Sequence, residues 1–103
     1  MPTKQKSKAI QFLESLVGEL TLAGYLTAIR EGEEMSQAAF AARLGVSRSH
    51  LCDIEKGRKT LSAERAARFA TILGYSDRQF VRLALQDTLR EAGLKMTVTV
   101  EAA

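Results

Sequence analysis

The sequence has few of the residues on which most metal sites and disulfide scaffolds depend. Its 103 residues include one cysteine and one histidine. A single cysteine, Cys52, excludes an intramolecular disulfide and favours a reducing cytoplasm. The cysteine and the histidine show no metal-ligand spacing, and the glycines form no phosphate-binding loop. We therefore expect no catalytic residues, no metal and no other cofactor, and the sequence predicts a protein that is not an enzyme.

Long apolar runs are also missing. The apolar residues after Lys8 are interrupted by Gln11, Glu14 and Glu19, which is typical of an amphipathic helix and not of a signal peptide. No stretch approaches the roughly 20 residues of a membrane span. The length leaves room for one modest core. We expect a single cytoplasmic domain with no membrane partner.

The charge is only mildly basic, with 15 Lys and Arg against 12 Asp and Glu. The positions of the cations are more informative than their sum. Within residues 37–68 the acids are Asp53, Glu55 and Glu64, whereas the basic residues are Arg43, Arg48, Lys56, Arg58, Lys59, Arg65 and Arg68. This clustering favours a nucleic-acid partner.

Residues 37–57 have the spacing of two helices joined by a tight turn. Apolar or small residues recur at helical intervals on both halves: Phe40, Ala41, Leu44, Leu51 and Ile54. Between the halves, Gly45 can adopt the positive φ of a sharp turn, and Ser47 is a good N-cap for the second helix. The pattern predicts a helix-turn-helix at residues 37–56, whose second helix is presented to the DNA major groove.

These residues resemble the Cro/phage-repressor helix-turn-helix family, often called XRE. The matching positions are Ser36-Gln37, Ala41, Gly45-Val46-Ser47, Ile54-Glu55-Lys56-Gly57 and Leu61-Ser62 with the helix that follows. The resemblance covers roughly residues 22–76. It implies a lambda-repressor-like fold that binds double-stranded DNA. It also implies that Gln37 binds a phosphate and that Glu55 is a structural hydrogen-bonding residue.

The predicted fold class is all-α, a compact helical bundle with an extra N-terminal helix and a short C-terminal β-strand. We expect a flexible basic arm at 1–7, a helical DNA-binding domain at 8–93 and a dimerisation strand at 94–103. Helices are predicted near residues 8–17, 20–30, 37–44, 48–56, 63–73 and 77–92. The capping residues Ser36, Ser47, Ser62 and Ser76 set four of their starts.

The segment after Gly93 has a different pattern. Met96, Val98 and Val100 alternate with polar residues, which is the period of a strand. A lone strand leaves its edges unpaired, and no other strand is predicted. We therefore expect these three residues to form a dimerisation strand that pairs with a second molecule; the alternative is a frayed tail.

Residues near the start of the second motif helix are the candidates for contacts with DNA bases: Ser47, Arg48, Ser49, Cys52 and Asp53. Arg48 can donate two hydrogen bonds to guanine, although a phosphate contact is the alternative. Asp53 can accept from a cytosine amino group, or it can pair with Arg48 and orient it. Cys52 is expected to make van der Waals contact.

The candidates for phosphate contacts flank that helix: Gln37, Lys56, Arg58 and Lys59. The free backbone N–H groups at the start of the Gln37 helix favour an anion. Lys56, Arg58 and Lys59 follow the second motif helix as a basic loop. Such contacts position a protein on DNA without reading its sequence.

Together these features predict a homodimeric, sequence-specific transcriptional repressor that acts on a palindromic operator. The small helix-turn-helix domain followed by a β segment resembles HigA-like and HipB-like antitoxins, which bind a toxin and repress their own operon. A cognate toxin is therefore an expected partner. The alternatives are a phage or mobile-element repressor, a stand-alone housekeeping regulator, and a protein-binding adaptor that does not bind DNA.

Overall fold

The structure is a computed structural model in which residues 20–103 are described. This part of the chain contains five α-helices and no strand: α1 Leu22–Gly32, α2 Gln37–Leu44, α3 Arg48–Glu55, α4 Ala63–Leu73 and α5 Asp77–Glu91. The all-helical fold class is confirmed. The arm predicted at 1–7 and the helix predicted at 8–17 lie outside the described residues.

Each of these five helices begins after a hydroxyl residue. The side-chain oxygen of the N-cap accepts a hydrogen bond from the backbone N–H three residues later, which satisfies one free donor of the first turn. The N-caps are Thr21, Ser36, Ser47, Ser62 and Ser76. The four serine caps are as predicted. The helix predicted at 20–30 corresponds to α1. It begins at Leu22 and not at Leu20, because Thr21 caps it.

One apolar core joins the five helices, with the most extensive packing between α4 and α5. Phe40, Leu51, Phe69 and Phe80 lie at its centre and are almost inaccessible to solvent. No polar or charged residue within 20–103 is fully buried. The apolar residues that recur at helical intervals in the motif are all buried, whereas Leu89, near the end of α5, is only half-buried.

Three aromatic rings tie α1 to the start of α5. The Tyr25 ring meets the Phe80 ring edge-on with 5.4 Å between centroids, and Tyr75 lies 6.3 Å from Tyr25 and 6.2 Å from Phe80. Such pairs contribute beyond their buried area. Burial, and then the charge of Glu33, raise the pKa of the Tyr75 hydroxyl.

Asp87 joins the two ends of the domain. Its Oδ2 accepts a hydrogen bond of 3.1 Å from the backbone N–H of Leu22, and its Oδ1 accepts one of 2.7 Å from Arg90. The carboxylate thereby satisfies a first-turn donor of α1 from α5, 65 residues away. A negative charge beside a helix N-terminus is also favourable.

The C-terminal strand predicted at 94–103 is not formed in the single chain. Residues 94–103 have no regular secondary structure. The physical reason is the one that makes a lone strand unfavourable: no other extended segment within 20–103 offers a ladder of hydrogen bonds.

Truncation of the central aromatic ring tests this core. Phe80→Ala should lower the free energy of unfolding by about 3–5 kcal/mol, because it removes buried area and leaves a cavity. Ile72→Ala is the control, since Ile72 is 38% exposed and its loss should cost far less. Denaturant unfolding measures both, and similar losses for the two variants would contradict this description of the core.

Candidate nucleic-acid interface

The turn between α2 and α3 takes its shape from Gly45 and Ser47. Gly45 has φ 77°, in the left-handed region where residues with a Cβ are strained. The backbone N–H of Val46 donates to the carbonyl of Ala41 at 3.0 Å, which closes the end of α2. The Ser47 hydroxyl then accepts from the backbone N–H of His50 at 3.0 Å and starts α3. The predicted helix-turn-helix geometry is present.

α3 is anchored through its apolar face. Leu51 is 0% exposed and Ile54 2% exposed, so both are locked in the core. Because residues three apart share a helical face, the opposite side of α3 is left to solvent. Ser49 is exposed on that side, whereas Arg48, three residues before Leu51, is exposed because it is the first residue of α3.

A second anchor is the carboxylate of Glu55 at the end of α3. It accepts hydrogen bonds of 2.8 and 3.2 Å from the Arg30 guanidinium and one of 3.0 Å from the Gln37 amide nitrogen. The Glu55 and Arg30 side chains are only 6% and 15% exposed. The hydrogen bond to Glu55 is the main reason why the pKa of Arg30 is raised. Arg30 also donates to the backbone carbonyl of Met35 at 3.0 Å, which fixes the loop before α2.

This network gives Glu55 the structural role that the family resemblance implies, and its partners come from two other helices. Arg30 was not predicted as a functional residue. Its signal in the sequence is its spacing of four from Leu26, which places a cation on the apolar face of α1.

Gln37 combines two roles at the start of α2. Its amide nitrogen faces Glu55. The Ser36 hydroxyl accepts from the backbone N–H of Ala39 at 3.1 Å, which leaves the N–H groups of Gln37 and Ala38 without an intrahelical acceptor. These two backbone donors, together with the helix dipole, can hold a phosphate oxygen.

The base-contact candidates lie at different depths on α3. Arg48 is exposed and makes no ion pair or hydrogen bond with a residue in the described range. Ser47 and Ser49 are exposed at the start of the helix, while Cys52 and Asp53 are half-buried further along. Asp53 pairs with Arg58 at 3.2 Å and not with Arg48, the partner considered from the sequence. Within residues 20–103, the Arg48 guanidinium thus has no partner that a base would have to displace.

The phosphate-contact candidates after α3 are all exposed. The pair between Asp53 and Arg58 is solvent-accessible, with the Arg58 side chain 62% exposed, so it contributes at most about 1 kcal/mol. A DNA phosphate can therefore replace Asp53 as the partner of Arg58. Lys56 and Lys59 extend the basic surface along the same loop.

An open groove connects α3 with the start of α4. It is lined by Ser47, Ser49, His50, Asp53, Lys59, Thr60 and Arg65. Two cations that are distant from Ser47 in sequence thus share a groove with the start of α3. Arg65 was not predicted as a contact residue; its guanidinium lies 5.6 Å from the centre of the Phe69 ring, which holds it at the groove wall. Its only signal in the sequence is its place in the basic cluster.

A family model described as a helix-turn-helix domain matches residues 21–83, from the N-cap of α1 into α5. The match covers more than half of the chain, so the chain belongs to this helix-turn-helix domain family. No curated protein and no solved structure matches the chain. The fold and the family together define a DNA-binding helix-turn-helix protein.

Within the described range, no helix combines the length and apolar character that crossing a membrane requires. Over the same residues, no cluster of His, Cys, Asp and Glu side chains is arranged to bind a metal ion.

Removal of the Glu55 carboxylate tests its structural role. Glu55→Ala should lower the free energy of unfolding by about 3 kcal/mol, the lower end of what breaking a buried ion pair costs, because Arg30 is left without its main partner. Glu33→Ala is the matched control, since Glu33 pairs with Arg43 at 2.9 Å on the exposed surface. That loss should not exceed about 1 kcal/mol. Urea unfolding measures both, and equal losses would refute the assignment.

Proposed function

We propose that this DNA-binding protein is a sequence-specific transcriptional repressor that acts as a homodimer on a palindromic operator. The observation that carries the proposal is the exposed Arg48 guanidinium, which has no partner among residues 20–103 and stands at the start of α3, beside a groove lined by Lys59 and Arg65. Arginine at such a position can bind the O6 and N7 atoms of guanine with two hydrogen bonds. A target on DNA agrees with a cytoplasmic location.

On both sides of the residues proposed to contact bases, exposed groups can contact the DNA phosphates. The N-terminus of α2 at Gln37 offers backbone donors on one side. Lys56, Arg58 and Lys59 offer exposed cations after α3. These contacts would fix the register of α3 in the major groove, while Arg48, Ser49 and Asp53 provide discrimination.

We further propose that the protein is an autoregulating type II antitoxin with a cognate toxin as its partner. The support is the likeness to HigA-like and HipB-like antitoxins, in which a small helix-turn-helix domain is followed by a C-terminal segment with alternating apolar residues. A phage or mobile-element repressor would use the same DNA-binding surface. An adaptor without DNA binding has no need of the free cation at Arg48.

The first test of function is base recognition by Arg48. After selection of preferred duplexes from a random pool, Arg48→Ala should cost about 1–3 kcal/mol of binding free energy and relax preference at one base-pair position. Arg78→Ala is the control, because it removes the same charge from an exposed position on α5 outside the groove. If Arg48→Ala keeps wild-type affinity and preference, Arg48 does not read a base.

Salt dependence tests the phosphate contacts. Lys59→Ala should weaken selected and unrelated duplexes by similar factors and reduce the slope of log K against log salt by about one. The Arg78→Ala protein again serves as the reference for a simple loss of charge. A loss restricted to the selected duplex would instead assign Lys59 to base recognition, and no DNA binding by the unmodified protein would favour the adaptor.

The antitoxin proposal is tested with the adjacent gene. Its product, expressed alone, should arrest growth, and co-expression with this protein should relieve the arrest and give a complex that co-purifies. A neighbouring product that is harmless and does not bind would leave the phage-type repressor as the better explanation.

A further inference from the structure

The segment after α5 is held against the helix by one side chain. The Gln86 amide nitrogen donates to the backbone carbonyl of Met96 at 2.7 Å, and the Gln86 amide oxygen accepts from the backbone N–H of Val98 at 3.0 Å. The carbonyl of one residue and the N–H of the residue two further on are the pair that a parallel ladder offers to one partner residue. The Gln86 amide therefore substitutes for a neighbouring strand.

Backbone groups of even-numbered residues along this segment face α5. The N–H of Leu94 donates to the carbonyl of Leu89 at 2.9 Å, and Met96 and Val98 bond to Gln86. Since successive residues of an extended chain direct their backbone groups to opposite edges, those of Lys95, Thr97 and Thr99 face away from the helix. These three residues are exposed and have no hydrogen-bond partner among residues 20–103. One edge is occupied and the other is open.

The side chains of this segment are unevenly covered. Val98 and Val100 are half-buried, whereas Leu94 is 44% exposed and Met96 59% exposed. Leu94 and Met96 are the two most exposed large apolar residues in the described chain. An open strand edge next to exposed apolar side chains is a surface for pairing with another strand.

We propose that residues 94–100 form a dimerisation strand that pairs antiparallel with the same strand of a second copy, with Thr97 on the two-fold axis. In this register Thr97 faces its own counterpart, and Lys95 faces Thr99 of the second copy. The three outward residues of each strand then exchange hydrogen bonds across the axis. This inference rests on the homodimer of the proposed function.

The same register explains the exposed apolar residues. Pairing about Thr97 places Met96 opposite Val98 of the second copy and Leu94 opposite Val100. Each exposed apolar side chain therefore meets a half-buried one across the strands, and such pairs stabilise sheets. The match is self-complementary, as a two-fold contact requires. An occupant other than a second copy would have to supply this alternating pattern by itself.

A disulfide test examines the register directly. In the full-length protein with Cys52 retained, Thr97→Cys should form an intermolecular disulfide readily, because the paired Cα atoms lie about 5.5 Å apart. Thr99→Cys is the matched control: in this register its two copies are about 13 Å apart along the strands, too far for a disulfide. Non-reducing electrophoresis and mass spectrometry of the linked peptides, with the unmodified protein as the Cys52 background, measure both.

The outcomes separate this inference from the proposed function. A disulfide-linked dimer of the Thr97→Cys protein supports the strand and its register. Cross-linking of the Thr99→Cys protein instead, or of neither variant in a dimeric protein, overturns it. Selective DNA binding by a Thr97→Cys protein that does not cross-link would leave the repressor proposal intact and reject the strand dimer. A cross-linked Thr97→Cys dimer without DNA binding would do the reverse.

Substitution of Gln86 tests the dimerisation strand in a second, independent way. Gln86→Leu removes both hydrogen bonds to the strand and should weaken dimerisation roughly tenfold or more, given the usual contribution of two hydrogen bonds. Gln79→Leu is the matched control on α5, since the Gln79 side chain accepts from Arg82 and makes no hydrogen bond with residues 94–100. Sedimentation gives the dissociation constants and thermal melting checks folding. A folded Gln86→Leu protein that dimerises like the control would contradict the role of Gln86.

Discussion

The geometry of the candidate DNA-binding surface depends on the carboxylate of Glu55. It holds the last residue of α3 to Arg30 of α1 and Gln37 of α2, so three helices meet at one charge. Ser47 caps the other end of α3. A helix fixed at both ends, with Leu51 and Ile54 in the core, has little freedom to rotate or slide. The backbone positions from which the exposed side chains at its start extend are therefore defined.

Most of the fold can be predicted from local signals. Serine N-caps and the spacing of buried apolar residues define the helices because both depend on residues a few positions apart. Long-range contacts are different: Asp87 meets Leu22 across 65 residues, and Arg30 meets Glu55 across 25. No local pattern encodes which distant partner a carboxylate finds. The role of Glu55 could be predicted from the family resemblance, whereas its partners could not.

The candidate site likewise has features that local sequence predicts and features that depend on more distant parts of the chain. Helical periodicity places Ser49 on the side of α3 opposite Leu51, so its exposure could be predicted. The exposure of Arg48 could be predicted from its place directly after the Ser47 N-cap. The pairing of Asp53 with Arg58, and the shared groove of Lys59 and Arg65, depend on the path of the loop between α3 and α4. Five residues apart in sequence, Asp53 and Arg58 meet only because α3 ends between them, where Gly57 turns the chain with φ 75°.

The candidate DNA-binding surface is tested most directly by NMR, with a map of the changes in backbone amide chemical shift as a selected DNA duplex is added. The largest changes should fall at Ser47 to Ser49, at the N-terminus of α2 around Gln37 and at Lys59. The first turn of α5, at Asp77 to Gln79, should stay unchanged. A scrambled duplex should leave the amides at the start of α3 less affected than the selected one. Changes centred on α5, or identical maps for the two duplexes, would contradict the assignment of the DNA-binding surface to α2, α3 and Lys59.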